Sequence, residues 1–332
     1  MHLLVTGGAG FIGSHLIRQI IDQPDVRHLT NLDCLTYAAR PENLADLRHH
    51  PKYSFEPIDL RDKAAVLGLF RRHEISHVVN LAAESHVDRS IAGPDPFVQT
   101  NVTGTLNLLE ACRESWKSGP QMHRFIQVST DEVYGSAGPD LRFTEESPLN
   151  PSSPYSASKA GADLLARAYF RTYHLPVLIT RCSNNFGPGQ FPEKLIPMAL
   201  DRLLERKPIP IYSHGLQIRD WLHVRDHCAA LQRVLDHGRV GEIYNVGGDN
   251  EWTNLDLIGL LCDLIDEARP DLGGNSRRLI QHVADRPGHD LRYAMDSSKI
   301  RRELGWSPKE PFRDRLLELA KTAVNQGAGG KR

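Results

Sequence analysis

Leu3-Leu4-Val5-Thr6-Gly7-Gly8-Ala9-Gly10-Phe11-Ile12-Gly13 reads as a strand buried on both faces that breaks into a glycine-rich turn and passes directly into a helix. Phe11, Ile12, Leu16, Ile17 and Ile20 recur at helical spacing behind the turn. Gly7 suits a tight turn, Gly10 lets backbone approach a pyrophosphate, and Gly13 lets the helix pack close on the strand. The helix N-terminus offers free N–H groups and the positive end of its dipole to phosphate. Glycine clusters also build ordinary loops. The strand–turn–helix context favours a dinucleotide site, as does Asp33, which ends the next apolar run about 20 residues on, where a carboxylate holds adenosine-ribose hydroxyls.

The alternation continues. Strand-like runs fall at His28–Leu32, Tyr53–Pro57, His77–Leu81, Arg124–Val128 and Val177–Thr180, with helical patterns at Asp62–Arg72, Pro96–Ser115 and Pro154–Tyr173 between them. Repeated strand–helix–strand units predict an α/β fold: a Rossmann-like, doubly wound parallel sheet with helices on both faces. Right-handed crossovers place the strand C-termini, and any ligand, along one edge. Gly7–Gly13, Asp33, Asp59, Ala82–Ser85, Ser129–Glu132 and Arg181–Asn185 all follow predicted strands. After residue 182 the rhythm changes. Asn184–Gly189 reads as a long loop, Pro192–Arg206 as a helix, and shorter segments follow, broken by glycine and proline. The expected division is a dinucleotide domain over 1–182 and a smaller C-terminal α/β substrate domain over 183–332, with segments around 221–248 packing back on the first. Gly327–Arg332 reads as a frayed tail.

Forty basic and 41 acidic residues in 332 give a formal net charge of −1, with no basic tail or stripe, so neither nucleic acid nor an anionic membrane is expected as a partner. Five scattered cysteines form no CxxC pair, which fits a reducing cytoplasm and argues against structural zinc. The first strand begins at once, so no signal peptide is expected, and no apolar run is long enough to span a bilayer.

Tyr155 and Lys159 stand at i and i+4, on one face of the predicted Pro154–Tyr173 helix. A lysine ammonium beside a tyrosine hydroxyl favours the phenolate and lowers a pKa that starts near ~10. Such a tyrosine takes the proton of a substrate hydroxyl while hydride leaves the same carbon, although a surface Tyr–Lys neighbour pair is common on any helix. Thr130, placed to hydrogen-bond that hydroxyl, is followed by Asp131 and Glu132, adjacent carboxylates that serve as acid and base if their surroundings split their pKa values. The alternative for the pair is a solvated turn or a helix N-cap. His223 and His227 have metal-ligand spacing on a helix, but satisfied or exposed histidines are the simpler reading, and no metal is expected.

Together, Gly7–Gly13 and Tyr155/Lys159 resemble the extended short-chain dehydrogenase/reductase family. Within it, Leu81–Asp88, Ser129–Glu132, Arg181–Asn185, Phe191–Pro197, Ile218–Leu222 and Asp285–Asp290 resemble the NAD-dependent sugar-nucleotide 4,6-dehydratases, over nearly the whole chain. Asp131-Glu132 is the discriminating feature, since the family's epimerases typically lack the acidic pair.

The resemblance implies a redox-neutral reaction on dTDP-glucose, with Tyr155 as base at the C4 hydroxyl, Glu132 as base at C5, Asp131 as acid at the C6 hydroxyl, and NAD retained through each turnover. It also implies a homodimer. Gly7, Gly10, Phe11, Ile12, Gly13, Asp33, Asp59, Leu60, Ala82, Thr100, Tyr155, Lys159 and Asn185 fall where the family contacts NAD. Ser85, Thr130, Asn184, Lys194, Leu195, Pro210, Tyr212, Arg219, Asn254, Arg286 and His289 fall on the sugar-nucleotide side, where Lys194, Arg219 and His289 suit a diphosphate. The chain departs from commoner family versions at Ser213-His214 and Leu291. Rival readings are an epimerase or decarboxylase on the same scaffold, and a catalytically silent NAD-binding sensor.

Asp33→Asn should narrow the preference for NAD over NADP, because a carboxylate binds ribose hydroxyls and repels a 2′-phosphate. Titration of parent and variant with both dinucleotides checks this, and unchanged discrimination removes Asp33 from the site.

Overall fold

Seven parallel strands form the centre of the computed structural model, which describes residues 1–116 and 122–329. In chain order the strands are β1 (His2–Thr6), β2 (His28–Leu32), β3 (Tyr53–Glu56), β4 (His77–Asn80), β5 (Arg124–Thr130), β6 (Val177–Cys182), β7 (Asn184–Phe186), β8 (Ile209–Tyr212), β9 (Ile218–His223), β10 (Ile243–Val246), β11 (Glu251–Thr253) and β12 (Ile280–Val283). The helices are α1 (Phe11–Ile20), α2 (Lys63–Arg72), α3 (Val87–Ala92), α4 (Asp95–Phe97), α5 (Thr105–Ser115), α6 (Pro154–Tyr173), α7 (Leu195–Leu204), α8 (Val224–His237), α9 (Asn254–Ala268), α10 (Ser298–Leu304) and α11 (Phe312–Gly329).

The large sheet runs β10-β6-β5-β4-β1-β2-β3. Leu3 and Val5 enter the core shared with α1, α8 and α10, whereas Leu4 enters the core shared with α2, α5 and α6. A strand covered on both faces has no reason to alternate, and β1 is apolar without alternation. Strand order reverses between β1 and β4, so a crevice opens beyond their C-terminal ends. A second core packs α7, α9 and α11 around a sheet of β11-β9-β7 and a β12-β8 pair.

Four expectations change. Asn184–Gly189 is not all loop, because Asn184–Phe186 pairs parallel with β9. The helix expected from Pro192 begins only at Leu195, with Lys194 as its extended N-cap residue. The Pro96–Ser115 helix begins at Asp95 and contains a seven-residue π stretch, Val98–Gly104, before α5. The tail expected from Gly327 is helical through Gly329, and 330–332 lie outside the described residues. Within 221–248, Trp221–His223 belong to the small sheet, α8 lies against α1, and β10 joins the large sheet beside β6.

α6 is anchored by a dry polar network. Asp163 and Arg181, 0% and 1% exposed, form an ion pair at 3.0 Å. Arg181 also donates to the Tyr134 hydroxyl (2.8 Å), which donates to Asn245 Oδ1 (2.8 Å). Breaking such a buried pair on one side costs several kcal/mol, roughly 3–5, so the pose of α6 against β5, β6 and β10 is strongly determined.

At the N-terminal ends of β1 and β2, the ring of His2 stands edge-on to those of His28 (4.8 Å) and His73 (5.7 Å). Burial, and then the two neighbouring imidazoles, push His2 down to about 4, and burial pushes His77 down to about 4 as well. Above the ordinary histidine value of 6.5 these rings are neutral in folded and unfolded chains and cost nothing. As pH falls below that value, the unfolded chain takes up protons that the folded chain refuses until about 4, and stability drops across this window. Denaturant unfolding at a series of pH values should show that drop, and His2→Val should make it shallower. An equal drop in the variant would clear His2.

Candidate active site

The crevice predicted by the topology is a cleft of about 350 Å³ whose lining includes Gly7, Gly10, Gly13, Asp33, Asp59, Thr100, Thr130, Glu132, Tyr155 and Lys194. All of the residues expected to hold a dinucleotide line it: Gly7, Gly10, Phe11, Ile12, Gly13, Asp33, Asp59, Leu60, Ala82, Thr100, Tyr155, Lys159 and Asn185.

The glycine turn is built to the tolerance of a bare backbone. Gly7 has φ +68°, and a Cβ on Gly13 would sit 2.3 Å from the Gly7 carbonyl oxygen. α1 therefore begins hard against the turn, and its first N–H groups carry no side-chain cap. Asp33, buried at the end of β2, accepts hydrogen bonds from the backbone N–H of Ala9 (3.0 Å) and of Leu35 (2.8 Å). Those bonds oppose the rise that burial causes and keep a carboxylate beside the turn. Uncapped helix N–H groups at one end and an oriented carboxylate at the other fit the diphosphate and the adenosine ribose of NAD. Thr100 reaches the cleft from the π stretch, a distortion frequent at functional sites.

The catalytic candidates come from two elements. Ser153 caps α6 in a reciprocal box with Ser156, which sets Tyr155 in the first turn and Lys159 one turn later. β5 delivers Thr130, whose hydroxyl donates to Asp131 Oδ1 (3.1 Å), and the chain then turns into a short 3₁₀ segment carrying Asp131 and Glu132. Thr130, Asp131, Tyr155 and Lys159 are all buried.

Their electrostatics split the two acids. Burial, then Glu132 and Asp220, push Asp131 well above the usual carboxylate range, and its Oδ2 has no partner among the described residues. Burial also raises Glu132, but Arg219, Arg286 and Lys194 pull it back. Both carboxyls are raised, but Asp131 is raised well above its usual range while three cations limit the rise at Glu132.

Tyr155 corrects the sequence reading. Burial, and then the Glu132 carboxylate, pushes its phenol up, and the Thr130 hydroxyl is the hydrogen-bonding group that opposes the rise. The Lys159 ammonium donates to the Val128 carbonyl (2.6 Å) and is drawn by Asp163, while both side chains line the cleft. The i, i+4 spacing put both groups on one face, but the sheet carbonyl captured the lysine.

On the other side, Ser85, Thr130, Asn184 and Lys194 line the cleft, and Lys194 Nζ donates to the Ser85 carbonyl (2.9 Å). Tyr212, Arg286 and His289 form a separate polar cluster. Asp88 accepts from the Tyr212 hydroxyl (3.0 Å) and from Arg286 (3.1 Å), and the Tyr212 ring meets His289 edge-on. Arg219 lies 4.1 Å from the Tyr293 ring centroid, and its charge and that of Arg286 reach Glu132. Leu195, Pro210 and Asn254 do not line the cleft: Leu195 opens α7, Pro210 pairs in β8, and Asn254 opens α9.

His223 and His227 do not share a helix. His223 ends β9, His227 lies within α8, and no group of metal ligands occurs among the described residues. Two site residues escaped the sequence reading. The Tyr293 hydroxyl donates to Asp290 (2.9 Å) and reaches Glu132 (3.4 Å). Asn101 accepts from the Glu84 N–H (2.9 Å) and donates to Ser158 (2.8 Å). Neither belongs to a local motif, and only the nearby Asp285–Asp290 run hinted at the first.

A model of the GDP-mannose 4,6 dehydratase family matches residues 4–319. The dTDP-glucose 4,6-dehydratase of Neisseria gonorrhoeae is 51% identical over 323 residues, covering 95% of this chain and 93% of the relative. That of Xanthomonas campestris pv. campestris (strain B100) is 52% identical over 314 residues, covering 93% and 89%. Among solved structures, DesIV (dTDP-glucose 4,6-dehydratase) from Streptomyces venezuelae, with NAD and dTDP bound, matches at TM-score 0.90 and 46% identity over 99% of this chain and 98% of that one. The UDP-glucose 4-epimerase of Thermus thermophilus, in complex with NAD, matches at TM-score 0.84 and 30% identity over 99% of both chains, so the scaffold is shared with epimerases. With a cradle that fits NAD, an acid pair beside a buried tyrosine, and half of its residues in common with these relatives, the chain belongs to the dTDP-glucose 4,6-dehydratase family.

Proposed function

We propose that the protein dehydrates dTDP-glucose to dTDP-4-keto-6-deoxy-glucose. The observation that carries the reading is the Thr130-Asp131-Glu132 turn, set against buried Tyr155 in the cleft that contains the dinucleotide cradle. NAD, when bound, supplies the acceptor for hydride from C4 and the donor of that hydride to C6, which makes the reaction redox-neutral.

Tyr155, as the phenolate that the Thr130 hydrogen bond favours, takes the proton of the C4 hydroxyl and is left as the phenol. The C4 ketone acidifies the C5 proton, which Glu132 removes. Asp131, kept protonated by burial and by its acidic neighbours, gives its proton to the departing C6 hydroxyl, which leaves as water. Glu132 then returns a proton to C5.

The glycine turn and the α1 N-terminus hold the diphosphate of NAD, Asp33 its adenosine ribose, and Lys159 the nicotinamide ribose. Lys194, Arg219 and His289 offer donors to the substrate diphosphate. In this reading 1–182 and the returning α8–β10 segment form the cofactor half, and the rest of 183–332 the sugar-nucleotide half. A homodimer is supported by Val98 and Leu164, about half exposed (50% and 55%) on the Asp95–Ser115 segment and on α6. A cytoplasmic location is supported by five cysteines, all unpaired. No described helix is long and apolar enough to cross a membrane.

Tyr155→Phe should cost ~10²–10⁴-fold in turnover while substrate affinity stays near the parent value, since a general base acts in the transition state and not in binding. Steady-state kinetics and substrate titration read the two separately.

Glu132→Gln should still oxidise C4 and then stall. Product analysis should find a 4-keto-glucose nucleotide that retains its C6 hydroxyl, and deuterium uptake at C5 from D₂O should nearly vanish. Asp131→Asn should slow loss of the C6 oxygen more than formation of the ketone. A Glu132→Gln protein that makes the deoxy sugar at the parent rate would return the pair to a structural turn.

A further inference from the structure

His227 and Asn185 sit on different elements and meet behind the cleft. His227 is fully buried in α8, 0% exposed, and Asn185 lies in β7 and lines the cleft. His227 Nδ1 is 3.0 Å from Asn185 Oδ1. An amide oxygen only accepts, so the imidazole carries its proton on Nδ1. Burial holds the ring neutral, at about 3, and leaves Nε2 with no partner among the described residues. Asn185 Nδ2 donates one of its protons to the Ser183 carbonyl (3.0 Å). With its oxygen taken by His227 and one N–H taken by Ser183, the amide cannot flip without losing both bonds. Its second N–H has no acceptor among the described residues, and Asn185 lines the cleft.

The same helix buttresses the cofactor turn. The Cys228 thiol, next in sequence to His227, contacts the Ile12 carbonyl at 3.7 Å, and α8 packs along α1. The residues around His227 thus brace both walls of the cleft from the rear.

We infer that His227 is a positioning residue: its Nδ1–H fixes the orientation of the Asn185 amide, so that the cleft receives a hydrogen-bond donor for bound NAD at that point. The inference rests on the NAD-dependent reading of the cleft and deepens it. A neutral donor does this better than a charged residue, because the ring is dry and faces only an amide oxygen.

The test is the rate at which full-length protein exchanges its bound NAD for excess labelled NAD, read beside the melting temperature. Asn places a side-chain N–H where His Nδ1 stands, whereas Gln places its polar atoms near His Nε2, out of reach of Asn185. His227→Gln should exchange NAD about tenfold faster, the usual scale for losing one well-made hydrogen bond, and His227→Asn should stay near the parent rate. Asn185→Ala should accelerate exchange similarly, and the Asn185→Ala/His227→Gln double variant should be no faster than Asn185→Ala alone. His227→Leu, which also removes polarity, serves as a further comparison if the Gln variant melts early. Equal exchange in His227→Gln and the parent overturns the inference, as do single-variant effects that multiply in the double variant. A parent protein that holds no NAD overturns the functional reading itself, a result distinct from either of these.

Discussion

Two adjacent carboxyls at the end of one strand, Asp131 buried and Glu132 half-buried, are the constraint that the site is built around. A lone buried charge is expensive, and two of like sign are worse, so Asp131 and Glu132 persist only because their surroundings separate them. Asp131 is shut in beside Asp220 and Glu132, and it keeps its proton. Glu132 faces Arg219, Arg286 and Lys194, cations carried by three distant parts of the chain. Tyr293 and Asp290 complete its surroundings through hydrogen bonds. The substrate half of the fold therefore does more than grip a nucleotide. It brings the positive charge that limits the rise at one of two similar acids and so sets them apart.

The tyrosine that begins the reaction depends on a different support. Tyr155 sits in the first turn of α6, and α6 is pinned to the sheet by the Asp163–Arg181–Tyr134–Asn245 network. That network passes through β6, β10 and the turn carrying Asp131 and Glu132, so base, acid and hydroxyl-orienting threonine are registered against one another through dry hydrogen bonds. Asn101 adds a second tie, joining the Glu84 backbone to Ser158 on the same helix. Geometry held in this way costs no reorganisation when the substrate arrives.

The cofactor half follows from backbone chemistry and was legible residue by residue. Gly7 and Gly13 allow an approach that a Cβ would block, and Asp33 is oriented by two local N–H groups. These are contacts between neighbours in sequence, or between one strand and the next, which is why spacing alone located them. The long helix after β4 was legible in extent but not in its winding: the π stretch that swings Thr100 into the cleft depends on packing against α6 and has no local signature.

The sequence by itself therefore determined the parallel sheet, the cofactor turn, Tyr155 with Lys159, and the acid pair, because strand hydrophobicity, helical periodicity and turn glycines are properties of short segments. It did not determine which way Lys159 points, since the Val128 carbonyl that receives it is 31 residues away. Nor did it place Tyr293 against Glu132, 161 residues apart, or show that His227 turns from a metal-like spacing to the back of Asn185. Leu195, Pro210 and Asn254 carry motif positions yet fall outside the cleft, because the packing of α7, β8 and α9 sets where they lie. Which charges meet across a buried site is decided by elements that touch only after folding, and the chemistry of this one lies in that meeting.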